Sequence, residues 1–119
     1  MAKGTITHIE FPAKDVERAK RFYAAVAGWE FGEMQPGYWT FRSEEGHGGG
    51  IGRAGESVGD NVRVYITVDS VDDSVGVAEA NGGRVLTPPT DIGGGYGRYA
   101  AIIDPEGNEI GLWQAAPEA

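Results

Sequence analysis

The chain has 119 residues, no cysteine and a formal charge of −8 at pH 7. The missing thiols exclude disulfides, thiolate zinc sites and cysteine nucleophiles, and the acidic balance opposes binding to nucleic-acid backbones or anionic membrane surfaces. The length fits one domain that buries roughly 65% of its unfolded surface. The opening MAKGTITHIEF carries no apolar run long enough for a signal peptide, so a cytoplasmic protein is expected.

Ile6 to Phe11 reads as a strand with Ile9 and Phe11 on one face and His8 and Glu10 on the other. Asp15 is placed to cap a helix running to about Ala27, where Val16, Ala19, Phe22, Tyr23 and Val26 recur at helical spacing and Gly28 ends it. Trp29 to Met34 and Tyr38 to Arg42 read as strands around a Pro36-Gly37 turn; Ser43 to Gly50 reads as a glycine-rich turn into a short strand near Ile51. After a polar connector from Gly55 to Asp60, Val62, Val64, Ile66 and Val68 alternate with Arg63, Tyr65 and Thr67, the pattern of a half-buried strand. Ser70 caps a second predicted helix through about Asn81. Arg84 to Thr87 reads as a strand broken by Pro88-Pro89, and Asp91 to Gly97 as a flexible loop whose glycines suggest a lid. Tyr99 to Ile103 and Glu109 to Gln114 form a predicted final hairpin around the turn Asp104-Pro105-Glu106-Gly107-Asn108.

The order strand, helix, strand, strand, strand thus occurs twice. His8 to Arg63 and Gly28 to Gly83 are each 55 positions apart, and the turn Ser43 to His47 aligns with Asp104 to Asn108, which matches Gly50 to Gly111. Modules of about 5–54 and about 61–115 within one domain are expected. One amphipathic helix covers one face of each sheet. The opposite face then carries His8, Glu10, Arg63, Tyr65, Gly111 and Trp113, a polar and aromatic set suited to a ligand cleft.

HIEFPAKDVERAKRFYAAVAGWEF, VYITVDSVDDSV and DPEGNEIGLWQ together resemble the vicinal oxygen chelate superfamily, the glyoxalase, bleomycin-resistance and ring-cleaving dioxygenase group, over nearly the whole chain. Its small branch described as related to lactoylglutathione lyase is the nearest in look. The resemblance implies an α+β fold in which two βαβββ modules form a curved mixed sheet around a cleft. It also implies metal-ligand places on the first and last strands of each module, which fall here on His8, Gly50, Arg63 and Gly111. Glycine offers no donor and a guanidinium is a fixed cation, whereas a catalytic divalent site takes about three protein ligands. No standard metal site and no cofactor are therefore expected.

The expected function is small-molecule binding, sequestering or sensing an aromatic or acidic metabolite or drug. His8, Glu10 and Arg63 would orient a polar group, and Tyr65 and Trp113 would cover an apolar part, with Tyr38 or Tyr99 as further stacking surfaces. The alternative is a lyase, isomerase or oxidoreductase, metal-dependent through atypical ligands or metal-free with His8 or Glu10 as base. A third class is a structural or regulatory subunit whose own side chains fill the cleft. Glu10 and Arg63 read equally as an ion pair, His47 as a solvated turn residue, Trp29 and Trp39 as core, and Asp69, Asp72 and Asp73 as a helix-start acidic cluster. Relatives of this kind dimerise, so a homodimer is expected.

Overall fold

The computed structural model describes residues 3–43, 45, 48–56 and 58–117, so the expectation for His47 lies outside the described residues. The chain forms two units. One is Thr7–Arg63; the other begins at Val64 and takes in the segment before Thr7.

The first unit contains β1 (Ile6–Ala13), α1 (Val16–Ala27), β2 (Glu30–Gln35), β3 (Tyr38–Arg42) and β4 (Gly48–Arg53). Within it β2 pairs with β3 and β3 with β4, both antiparallel, and β4 runs parallel to β1. The caps are those the sequence proposes. The Asp15 side chain accepts from the Arg18 N–H, and Gly28, at φ 72°, donates its N–H to the Ala24 carbonyl. Phe11, Tyr23, Trp29 and Phe41 pack ring against ring, with Trp29 and Phe41 stacked at 3.9 Å between centroids. Lys20 of α1 lies over the Trp39 ring at 3.1 Å, a cation–π contact that places Trp39 on the same side as the helix. Only part of the predicted apolar stripe of α1 is used: Phe22 is 58% exposed and Val26 69%.

The fourth strand is longer than expected, beginning at Gly48. A methyl group at Gly48 would strike the Phe41 carbonyl, and one at Gly49 the Ile9 carbonyl, on the flanking strands. The glycine run therefore marks close backbone approach inside a strand, where the sequence reads as a turn.

The second unit contains β5 (Arg63–Thr67, whose first residue groups with the first unit), α2 (Val71–Ala80), β6 (Arg84–Asp91), β7 (Arg98–Ile103) and β8 (Glu109–Gln114). Here β5 runs parallel to β8, and β8–β7 and β7–β6 are antiparallel. The core is Val68, Val71, Val75, Ala100 and Leu112, with Ile66, Val85, Ile102 and Ile110 against it. Residues ahead of β1 join this unit, since Gly4 N–H donates to the Thr67 carbonyl and Thr67 N–H to the Thr5 carbonyl.

Three expectations change here. Pro88-Pro89 does not end β6; the strand runs to Asp91 with shifted register between Thr87 and Thr90. In this unit's sheet β6 pairs only with β7, and prolines are tolerated on such an edge. The segment 92–97 is a closed turn, with Ile92 N–H on the Gly97 carbonyl at 2.9 Å and Tyr96 N–H on the Gly93 carbonyl at 3.1 Å. Finally, the burial of β5 runs opposite to its apolar pattern. Arg63, Tyr65 and Thr67 are buried while Val64 and Ile66 are half-buried, and Val62, just before the strand, is exposed.

Candidate functional site

In the first unit the face of the sheet away from α1 gathers polar groups. Period-two alternation along β1 puts His8 and Glu10 on that face. The phenol oxygen of Tyr38, on β3, lies 2.7 Å from His8 Nε2 and donates to Glu10 Oε2 at 3.1 Å. Glu10 Oε1 faces Arg63 Nη1 at 3.9 Å, with both side chains about nine-tenths buried. The result is a chain of four groups, Arg63, Glu10, Tyr38 and His8. The ion pair read from the sequence is present, and Tyr38 is its extension to His8.

Gly50 makes room for this chain. It stands directly across from Glu10 in the parallel pairing of β1 and β4. A Cβ there would strike the Tyr38 hydroxyl and ring. The phenol thus fills the space that any larger residue at position 50 would claim. Burial also acts on His8: it holds the imidazole below its usual pKa of 6.5, because the charged form loses solvation. At neutral pH the ring is therefore neutral and carries one proton.

The second unit repeats the device with a different neighbour. Gly111 pairs with Tyr65, and a Cβ at Gly111 would run into the Tyr65 ring. Tyr65 is 7% exposed, with its ring in the space above Gly111. Trp113, half-buried and paired with Tyr99 on β7, donates its indole N–H to the Tyr96 carbonyl at 2.8 Å. That bond anchors the 92–97 turn. Asp72 and Asp91 both bind Arg98, which accounts for one acid of the helix-start cluster. Gln114 accepts from the Val71 N–H at 2.9 Å, so the last residue of the GLWQ strand caps α2.

The structure therefore brings His8, Glu10 and Arg63 together, and places Tyr65 and Trp113 in the other unit. Sequence reasoning left Tyr38 as a stacking surface and missed its part as the hydrogen-bonding centre. The available signal was Gly50, a residue without a side chain facing a histidine and a carboxylate.

The four places that the family resemblance marks for metal ligands do not form a donor set. Gly50 and Gly111 have no side chain, Arg63 is a cation and His8 Nε2 is engaged by a phenol. Among the described residues no three His, Cys, Asp or Glu side chains converge. No described helix is long and apolar enough to cross a membrane.

The sequence pattern described as Glyoxalase/Bleomycin resistance protein/Dioxygenase superfamily matches residues 5–112. CFP32 of Mycobacterium bovis, named as a candidate glyoxylase, is 31% identical over 122 aligned positions covering 95% of this chain and 46% of that protein, so the chain spans about half the length of this relative. Among solved structures, the methylmalonyl-CoA epimerase of Streptomyces coelicolor, in complex with 2-nitronate-propionyl-CoA, superposes with a TM-score of 0.68 at 17% identity, over 98% of this chain and 100% of that one. The 2,3-dioxygenase LapB of Pseudomonas sp. KL28 gives 0.67 at 15% identity, over 97% of this chain and 43% of that one. An epimerase and a dioxygenase share this α+β fold, so the fold does not select a reaction.

Proposed function

The chain belongs to the glyoxalase/bleomycin resistance protein/dioxygenase superfamily, and from that premise we propose that it binds a small aromatic or acidic molecule without the metal centre of the superfamily's metal-dependent members. One observation carries the reading. The space beside His8 and Glu10 that a further donor at position 50 would need is filled by the Tyr38 phenol. What remains on that face is hydrogen-bonding and cationic chemistry from His8, Tyr38, Glu10 and Arg63, which recognises polar groups directly. In the second unit, taken by itself, Trp113 is a half-buried candidate aromatic contact and Tyr65 a buried one. Sequestering or sensing such a molecule, as a cytoplasmic homodimer, completes the reading.

A specific feature supports a second reading, metal-free proton transfer. A neutral imidazole joined through a phenol to a carboxylate is an acid–base arrangement, and His8 or Glu10 is then the base.

A thermal-shift panel of aromatic acids, 2-oxo compounds and antibiotics separates these readings from a metal-dependent one. The proposal expects at least one compound to raise the melting temperature, with a shift unchanged by chelator and reduced in His8→Gln. A ligand at about 100 times its Kd stabilises by about 2.7 kcal/mol, well within detection. A panel with no stabilising compound, or shifts that vanish with chelator, would count against it. Turnover of a stabilising compound would favour the acid–base reading.

A further inference from the structure

We infer that Tyr38 is a resident plug: it occupies the room beside His8 and Glu10 where a side chain at position 50 would complete a metal-binding triad, and it commits His8 Nε2 to donating a proton. This deepens the metal-free function proposed above and rests on that reading for its biological meaning, though its tests do not.

A phenol has one proton, and the Tyr38 hydroxyl meets both Glu10 Oε2 at 3.1 Å and His8 Nε2 at 2.7 Å. Glu10 faces the Arg63 guanidinium, and a carboxylate beside a cation is an acceptor only. The Tyr38 proton therefore goes to Glu10. The contact with His8 at 2.7 Å then requires a donor on the histidine side, so His8 Nε2 carries a proton. A nitrogen that carries a proton has no lone pair for a metal ion. Coordination through Nε2 would have to remove that proton and displace the phenol together.

His8 and Glu10 alternate on one face of β1, and position 50 stands across from Glu10 on the neighbouring strand. A donor side chain there would bring three ligands together, the number a divalent site needs. Gly50 withholds it, and Tyr38 takes up the volume. Neither residue alone accounts for the arrangement: a larger residue at 50 would collide with the phenol, and a smaller residue at 38 would leave a void beside the buried Glu10 and the half-buried His8.

Two measurements test this. The first uses the unaltered protein. Only two histidines are present, so ring nitrogen–proton correlation spectra are assigned by comparison with His8→Gln. The expected result is a His8 Nε2–H signal protected from exchange with water and lost in Tyr38→Phe. A His8 protonated on Nδ1 alone, or a protected Nε2–H signal that survives Tyr38→Phe, would overturn the inference. The second is a titration with zinc alone. The unaltered protein is expected to show no His8-dependent binding. The double variant Tyr38→Ala with Gly50→His is expected to bind one zinc per chain at least about 100-fold more tightly, with binding removed by adding His8→Gln. Tight His8-dependent zinc binding by the unaltered protein, or a folded double variant that binds no better, would overturn the inference. Should the double variant not fold, the proton spectrum decides alone. Both outcomes are independent of whether any small organic ligand binds, so failure here and failure of the proposed function are distinguishable.

Discussion

Replacing Tyr38 by phenylalanine removes one oxygen atom and leaves the ring where it is. That oxygen serves two bonds, one to the Glu10 carboxylate at 3.1 Å and one to His8 Nε2 at 2.7 Å. A bond to a charged group contributes about 1.5–3 kcal/mol and a neutral one about 1 kcal/mol. Both lie in a part-buried place where water regains some of what is lost, so a net cost of about 2–3 kcal/mol is expected. Unfolding entropy of roughly 2.1 cal/mol/K per residue turns that into a fall in Tm of about 10 °C for a chain of this length. Urea unfolding measures it directly, with the midpoint lowered and the slope unchanged. Gly50→Ala provides a cross-check from the other side. Its methyl group meets the far end of the Tyr38 side chain, which swings away and gives up the same two bonds. The two variants should therefore lose similar stability, and combining them should cost little more than either alone. A loss below about 0.5 kcal/mol for Tyr38→Phe, the size of an ordinary surface change, would refute the reasoning.

Gly111→Ala should cost at least as much as Gly50→Ala, about 1–3 kcal/mol, because it meets the base of the buried Tyr65 ring, which cannot swing free; Gly32→Ala, with open space around its position, is the control and should be neutral or stabilising in the same urea assay. Gln114→Ala leaves the Val71 N–H at the start of α2 without its acceptor and should lower stability by about 1 kcal/mol, measured as a lower urea midpoint. The depressed pKa of His8 fixes a sign with pH. Between its lowered folded value and 6.5 the unfolded chain binds a proton that the folded chain does not, so this contribution is full above 6.5 and is lost as pH falls. The stability difference between the unaltered protein and His8→Gln should therefore shrink on acidification through that window; parallel curves would contradict the burial of a neutral ring.

Much of the fold was legible because local chemistry and pattern agree. Asp15, Gly28 and Ser70 cap the helices they announce, and Tyr38–Arg42 and Glu109–Gln114 are strands with the expected ends. The misreadings share a cause: tertiary contacts override local signals. Gly48 to Gly50 looks like a turn, yet the run marks a strand squeezed between neighbours. Pro88 and Pro89 look like a stop but sit in an irregular strand paired on one side. Tyr65 and Arg63 look like the exposed half of an alternating strand, and both are buried. At the candidate site, strand parity alone put His8 and Glu10 on one face, and the repeat added Arg63. Tyr38 escaped because its part depends on the missing side chain of Gly50, on the strand paired with its own. Nothing local in Gln35-Pro36-Gly37-Tyr38 announces a bond to His8; only the space above Gly50 does.

Metal content of protein purified without chelator tests the central claim most directly. The account predicts transition-metal levels far below one ion per chain, unchanged by His8→Gln. One ion per chain in the unaltered protein, lost on His8→Gln, would contradict it.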